Sequence, residues 1–168
     1  QLPDGGWNIY YGGPSEVNAT IKAYLALKLA GVPVTDPRML RAREVALNFG
    51  GVPRMNTFSK LYLGLLGLFP WEYVPTIPCE VLLIGKWFHV NFWDMSNWSR
   101  AMLVPLAIIN HYKPTRTPYN PVTLDELYPH GFHERALALP PDPDKISFRN
   151  FFLWLDRLHK FAEWFAEH

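Results

Sequence analysis

The chain has 168 residues, about the size of one domain, and 49% of them are hydrophobic, so a substantial core can form. Sixteen basic and fifteen acidic side chains leave a formal net charge of +1, which provides no field to attract a nucleic acid, and we predict no nucleic-acid partner. The single cysteine, Cys79, excludes an intrachain disulfide and a multi-cysteine zinc site, and the longest apolar stretches, 61–70 and 101–109, are far shorter than the roughly 20 residues that span a bilayer.

The first seven residues contain the pattern Gln-x-x-x-Gly-x-Trp, formed by Gln1, Gly5 and Trp7. A glutamine amide can bond to backbone groups at a helix end while the indole covers it, and the glycine permits their close approach. A polar turn before a core tryptophan would give the same pattern. The stretch looks like the second half of a motif, so we expect the chain to begin inside a larger protein.

Two amphipathic helices are predicted next. The first begins after its N-cap Ser15 and ends at Gly31, which suits a left-handed stop. The second begins at Asp36–Pro37, a cap followed by a first-turn proline, and ends at Gly50–Gly51. In the first helix the apolar residues recur at three- and four-residue spacing, at Val17, Ile21, Tyr24, Leu25 and Leu29.

A third helix is predicted from Asn56 or Thr57 to just before Pro70, and a fourth over 94–111 with a kink at Pro105. No convincing pair of strands is present in the sequence. The fold class is therefore all-α. Successive helices joined by glycine-rich turns favour an α/α toroid, or α/α barrel, over a four-helix bundle with polar loops.

The last third of the chain has two different parts within the single domain that we predict over 1–168. Residues 113–145 contain seven prolines and no sustained apolar period, which predicts a long irregular connection. Ser147 then caps a final amphipathic helix over 147–168 with a wide apolar arc. Either this helix lies in a membrane interface or another part of the fold covers it. The aromatic residues that we expect at such an interface are Phe151, Phe152, Trp154, Phe161 and Phe165.

Several ordered segments of the chain resemble a known family. They are GGP (12–14), IKAYLALK (21–28), GGV (50–52), NTFSKLYLGLLG (56–67), FPWE (69–72), PCE (78–80), KWF (86–88), WSRA (98–101) and LDELY (124–128). In this order they closely resemble the squalene-hopene cyclases, which are class II triterpene cyclases. The resemblance runs from Gln1 to about Tyr128 and is looser afterwards. Where this chain has Pro78-Cys79-Glu80, members of the family often have Pro-Pro-Glu.

The resemblance implies that two α/α barrels enclose a cavity and that this chain forms most of the smaller, inserted barrel. Gln1, Gly5 and Trp7 then look like the tail of the family's structural QW motif. The implied reaction is a proton-initiated carbocation cascade along squalene, without a metal or an organic cofactor. The acid that starts it belongs to an Asp-x-Asp-Asp motif on the other barrel, and this sequence does not contain that motif. We therefore expect no catalytic residue here and no activity of the chain alone.

The family resemblance also implies site residues in the fourth helix. Trp98 is expected to line the substrate cavity, where an aromatic π face stabilises a cation without trapping it. Met95 and Leu103 resemble positions at the substrate channel. Each of these three residues could instead be an ordinary core residue of a buried helix.

The implied partners are squalene or a related polyprenoid, a membrane surface and the remainder of the cyclase chain. The implied location is monotopic, on the cytoplasmic face of a bacterial membrane. Two other functions remain as alternatives. One is a non-catalytic α-helical module that binds a polyprenyl lipid or a membrane surface. The other is an α/α-barrel glycosidase, although Glu44, Glu72 and Glu80 show no pairing that would favour it.

The remaining polar residues of interest receive structural interpretations. Lys60, Lys86 and Arg100 are interpreted as helix-surface or ion-pair residues. We predict no metal site, because His130 and His133 with the adjacent Glu134 lie on a proline-rich stretch without a further strong ligand in register.

Overall fold

The structure is a computed structural model that describes residues 1–77, 82–83, 85–86, 91–129, 131, 143 and 147–167 and, in the last helix, the side chains at 150, 153–158, 160, 161, 164 and 165. This part of the chain forms five α-helices and no β-strand, as the all-α prediction requires. The helices are α1 (Val17–Leu29), α2 (Pro37–Asn48), α3 (Thr57–Leu65), α4 (Asn97–Tyr112) and α5 (Phe148–Glu167). Short 3-10 turns occupy Val52–Arg54, Trp71–Tyr73, Phe92–Asp94 and Asp125–Leu127.

The chain divides into two compact units. One takes its residues from 1–70 and 115–138 and contains α1, α2 and α3, whereas the other takes its residues from 71–114 and 139–168 and contains α4 and α5. The single domain that we expect from the sequence stays a prediction.

The core of the first unit is formed by α1 and α2, which pack against each other. Ile21, Tyr24 and Leu25 of α1 and Met39, Ala42 and Ala46 of α2 are buried, and the 3-10 turn Asp125–Leu127 packs against α2. The buried side chains of the first unit include Ile21, Tyr24, Leu25, Met39, Ala42, Ala46, Val52, Leu61, Leu63, Leu124 and Leu127.

The ends of α1 and α3 differ from the sequence prediction. Ser15 does not cap α1, because its hydroxyl donates to Asp4 Oδ1 at 2.8 Å. Glu16 is the N-cap instead and accepts from the backbone of the first turn. Helix α3 ends at Leu65, before the predicted limit at Pro70, because Gly67 with φ +70° closes a Schellman turn after it.

Helix α2 begins as predicted. Asp36 is its N-cap and accepts from the backbone N–H of Arg38 at 2.8 Å, and Pro37 is its first residue. The Gly50–Gly51 pair that ends it also seats a distant segment. A Cβ atom on Gly51 would lie 2.0 Å from the carbonyl oxygen of Leu127, so only glycine fits at this position.

Helix α4 begins at Asn97, three residues later than the predicted start at residue 94. Asn91 accepts from the backbone N–H groups of Trp93 and Asp94 at 2.9 and 3.0 Å, which stabilises the separate 3-10 turn Phe92–Asp94. Ser96 is therefore the N-cap of α4. Pro105 lies inside the helix, and since it has no N–H it cannot donate the usual hydrogen bond to the carbonyl of Ala101.

The described part of the connection after α4 is tied to the first unit by Glu126. Its carboxylate accepts hydrogen bonds from Tyr24 and Lys28 of α1, and its backbone oxygen accepts from Arg43 Nε at 3.1 Å. The Lys28 ammonium also donates to the carbonyl of Thr123 at 2.6 Å. An irregular stretch thus gains a fixed position from side chains of two helices.

Candidate functional site

One face of α4 is exposed and consists only of apolar or aromatic residues. Its members follow the helix at alternating spacings of three and four residues and contain no charge. Trp98 is 69% exposed, although an indole is among the side chains that are most buried on average. We call this face the α4 stripe; its members are Trp98, Ala101, Pro105, Ile108 and Tyr112.

The two predicted substrate-channel residues, Met95 and Leu103, lie away from the α4 stripe. Leu103 is about 140° from Trp98 around a helix of 3.6 residues per turn and falls on the side of the buried Ala107 and Asn110. Met95 precedes the helix, at the end of the 3-10 turn, and is half-buried. The structure therefore presents Trp98 outward and does not bring Leu103 to the same face.

Helix α4 holds the segment 75–77 with one buried side chain. The Asn110 amide is 4% exposed; its Oδ1 accepts from the backbone N–H of Ile77 at 3.2 Å, and its Nδ2 donates to the carbonyl of Pro75 at 3.4 Å. Both ends of the amide are thus used, as a buried polar side chain requires.

Helix α5 contacts the same segment with polar side chains. Asp156 Oδ1 accepts from the backbone N–H of Thr76 at 2.7 Å, and Lys160 Nζ donates to Asp156 Oδ2 at 2.8 Å and to the carbonyl of Glu72 at 2.9 Å. Burial opposes ionisation of Asp156, but the hydrogen bonds from Lys160 and Thr76 outweigh it and hold the pKa of this carboxyl below its usual value.

The opposite side of α5 is apolar and exposed. Trp154, Leu158, Phe161 and Phe165 follow one line of the helix, and Phe165 is 73% exposed. An amphipathic helix of a globular protein ordinarily has the reverse arrangement, with its apolar stripe toward the core. Phe151 and Phe152 belong to this helix, but their side chains lie outside the described residues. Over the described ranges, no helix combines the length and the apolar character that crossing a membrane requires.

The Gln-x-x-x-Gly-x-Trp segment precedes α1 and makes contacts with both α1 and α2. Gln1 Nε2 donates to the carbonyls of Gly5 and Arg38, each at 2.8 Å. At Gly5, with φ +100°, a Cβ atom would lie 2.6 Å from the Cβ of Arg41, so the close approach here is to α2. The backbone N–H of Trp7 donates to Thr20 Oγ1 of α1 at 3.0 Å.

Lys60 differs from its sequence interpretation as a surface or ion-pair residue. Its side chain is 1% exposed, and its ammonium group has no hydrogen-bond partner and no ion pair within the part of the chain that the structure describes. Nζ lies 5.6 Å from the ring centroid of Phe69, a cation–π contact. Burial lowers the pKa of this amine.

The comparison with known families gives one answer for nearly the whole chain. The family model described as "Squalene-hopene cyclase N-terminal domain" matches residues 1–167. The chain belongs to the squalene-hopene cyclase family. The helices and the absence of strands in the described residues agree with the α/α toroid fold of this family's domain.

Curated relatives of this cyclase-family chain include squalene-hopene cyclases and a dammaradiene synthase. The chain is 40% identical over 157 residues to a squalene-hopene cyclase of Zymomonas mobilis, which covers 93% of the chain and 23% of the relative. It is 36% identical over 163 residues to the dammaradiene synthase of Dryopteris crassirhizoma, covering 97% and 24%. A squalene-hopene cyclase of Alicyclobacillus acidocaldarius is 34% identical over 128 residues, covering 76% and 20%. The chain spans about a quarter or less of the length of these relatives.

The interpretation of the sequence missed two features of this cyclase segment, the exposure of the α4 stripe and the burial of Lys60. The α4 stripe has helical spacing, but the sequence does not say whether that face is buried. Lys60 stands among apolar residues of α3, and this signal was available.

The described residues contain no group of three or more His, Cys, Asp or Glu that could bind a metal. Cys79, Glu80, His130, His133 and Glu134 lie outside the described residues.

Proposed function

We propose that this chain is part of a squalene-hopene cyclase that converts squalene into hopanoids by a proton-initiated carbocation cascade. In this proposal α4 forms part of the cavity wall through Trp98, and α5 seats the enzyme on the cytoplasmic face of a bacterial membrane. The substrate is squalene or a related polyprenoid, and the remainder of the cyclase chain supplies the Asp-x-Asp-Asp acid and the rest of the cavity.

The observation that carries the cavity assignment is the α4 stripe. A cationic polyene needs a wall without carboxylates or amines, because these groups would quench or capture the cation, and with aromatic faces, because their quadrupole attracts positive charge. The stripe has an indole at one end and a phenol ring at the other, Trp98 and Tyr112, and no charged member. Met95 and Leu103 are proposed as channel residues on the family resemblance alone.

The observation that supports membrane seating is the outward apolar line of α5. Since polar side chains hold the other side of this helix, the apolar line is available to insert into the headgroup and acyl boundary. Trp154 and the phenylalanines are residue types that such helices use for insertion. The same face would deliver an apolar substrate from the bilayer to a nearby entrance.

The experiment is turnover of squalene by the full-length parent enzyme on vesicles, with products identified by gas chromatography and mass spectrometry. We expect pentacyclic hopanoids from the wild type and none after the aspartates of its Asp-x-Asp-Asp motif are changed to Asn. The 168-residue chain alone should consume no squalene. Unchanged squalene with the full-length enzyme would refute the proposal, and conversion by the chain alone would refute our placement of the acid.

A further inference from the structure

Two consecutive backbone N–H groups are held by side chains of two different helices. Thr76 donates to Asp156 of α5 at 2.7 Å, and Ile77 donates to Asn110 of α4 at 3.2 Å. Lys160 adds a contact from α5 to the carbonyl of Glu72. All of these residues belong to one compact unit. We call Asp156, Asn110 and the segment 75–77 the clamp.

We propose that Asp156 is a positioning residue that fixes the orientation of α5 relative to α4 through the clamp. The inference rests on the proposed function, because it concerns how the membrane-seated helix and the cavity wall are kept in register for substrate entry. Asp156 touches no substrate in this scheme and acts only through the segment 75–77.

The exposed apolar side chains of α5 that the structure describes do not fix this orientation by packing. The large apolar side chains Trp154, Leu158, Phe161 and Phe165 point away from the unit, so they do not set the rotation of the helix about its axis. Asp156 and Lys160 lie one turn apart on the opposite side and make the described contacts to the backbone of 72–76. Charge-assisted hydrogen bonds are directional and stronger than neutral ones, so they can set that rotation.

In the clamp, the residue bound by α5 (Thr76) and the residue bound by α4 (Ile77) are adjacent in the chain. Rotation of α5 moves Asp156 Oδ1, and the N–H of Thr76 must follow to keep a 2.7 Å bond, while Asn110 holds the adjacent N–H. Loss of the carboxylate therefore lets α5 rotate without moving α4. The entrance would lose its alignment with the membrane, but the α4 stripe itself would stay in place.

The test uses full-length enzyme carrying Asp156→Ala or Asp156→Asn, with Asp36→Ala as the matched control. Asp36 also accepts a backbone N–H and pairs with a basic side chain, Arg38, but it lies on α2 in the other unit. For Asp156→Ala we expect KM for squalene in vesicles to rise about tenfold, the factor that loss of one charge-assisted hydrogen bond corresponds to. We expect kcat to stay within about twofold, because the reacting groups are unchanged.

Asp156→Asn keeps an oxygen for Thr76 and loses the charge that pairs with Lys160, so its KM should lie between the wild type and Asp156→Ala. Asp156→Asn also provides the KM measurement if Asp156→Ala is poorly folded. Flotation of both variants with vesicles should equal that of the wild type, because the apolar face is intact.

The outcomes are distinct. A KM change no larger than that of Asp36→Ala, or a fall of kcat in step with lost melting temperature, would overturn the positioning role while the wild type still cyclises squalene. Lost flotation would show that Asp156 serves membrane binding itself, which also overturns it. A wild type that does not act on squalene would instead refute the proposed function on which the inference rests.

Discussion

The hydroxyl of Tyr24 donates a 2.9 Å hydrogen bond to Glu126 Oε1, which joins α1 to a residue 102 positions later. Burial opposes ionisation of Glu126, yet the hydrogen bonds from Lys28 and Tyr24 hold the pKa of its carboxyl below the ordinary value of 4.5. Burial and this bond to Glu126 also raise the pKa of the Tyr24 hydroxyl. One carboxylate thus anchors the irregular stretch before Tyr128 to the helical core.

The first prediction is a pH dependence of stability to which Glu126 contributes. Because its pKa is lower in the folded state than in the unfolded state, the stabilisation is complete above 4.5 and is lost as the pH falls through the folded-state pKa. Urea unfolding between pH 7 and 3 should show a smaller acid loss for Glu126→Gln than for the wild type. Glu44→Gln, at an exposed position of α2, is the control and should leave the wild-type slope unchanged.

The second prediction is that Lys60→Met stabilises the protein. The substitution supplies a flexible apolar side chain of similar length and removes a buried ammonium group that has no hydrogen-bond partner among the described residues. Burial of such a group costs about 1 to 3 kcal/mol. Thermal or urea unfolding would measure the gain, with Lys22→Met at an exposed position of α1 as the control. A loss of stability in Lys60→Met would mean that the contact of the amine with Phe69, or with a further partner, outweighs the cost of its burial.

The third prediction separates two reasons why a position requires glycine, which are a positive φ and the lack of space for a Cβ atom. Gly51→Ala should cost more than about 2 kcal/mol, because a positive φ is strained for alanine and the Cβ would collide with the Leu127 carbonyl. Gly31 also has a positive φ, but open space surrounds its missing Cβ, so Gly31→Ala should cost only about 1 kcal/mol. Equal losses in the two variants would show that Leu127 moves away without cost.

The fourth prediction concerns Trp98 in the full-length enzyme. If its indole stabilises a cationic intermediate, Trp98→Ala removes about 2 kcal/mol at one step, roughly a thirtyfold loss, and shifts products toward early termination. Trp98→Phe should recover part of this. Product profiles and melting temperatures would be measured together, with Tyr11→Ala at another exposed aromatic residue as the control. Wild-type products in yields that follow the folded fraction would make Trp98 structural.

The fifth prediction is that α5 binds zwitterionic vesicles through its apolar line. Changing Phe161 and Phe165 to Ser removes two exposed phenylalanines, worth about 3 kcal/mol of burial, and should weaken flotation of the full-length enzyme about a hundredfold. Ile9 and Tyr11, which are large exposed side chains of the first unit, provide the double-Ser control. Equal flotation of the two double variants would favour a covered α5.

Local signals in the sequence predicted the start of a helix correctly where no distant residue binds the capping side chain. Asp36 and Pro37 start α2 as predicted, since both act within one turn. Ser15 failed as a cap because Asp4, eleven residues earlier, binds its hydroxyl. The burial of Lys60 and the exposure of Trp98 depend on what packs against each helix face, and helical spacing alone does not contain that information.

Helix α5 has its apolar line outward and its charged contacts toward its own unit. Added salt therefore weakens the interactions of one side and strengthens those of the other. Salt screens the charges of Asp156 and Lys160, which hold the helix to its own unit. Excluded salts such as sulfate strengthen the association of apolar surfaces, and here those surfaces face outward. We therefore expect a concentrated sulfate solution to weaken the charged contacts of α5 and to favour association between the outward apolar lines of different molecules. We expect the salt chosen for purification to influence how far this chain associates through its last helix.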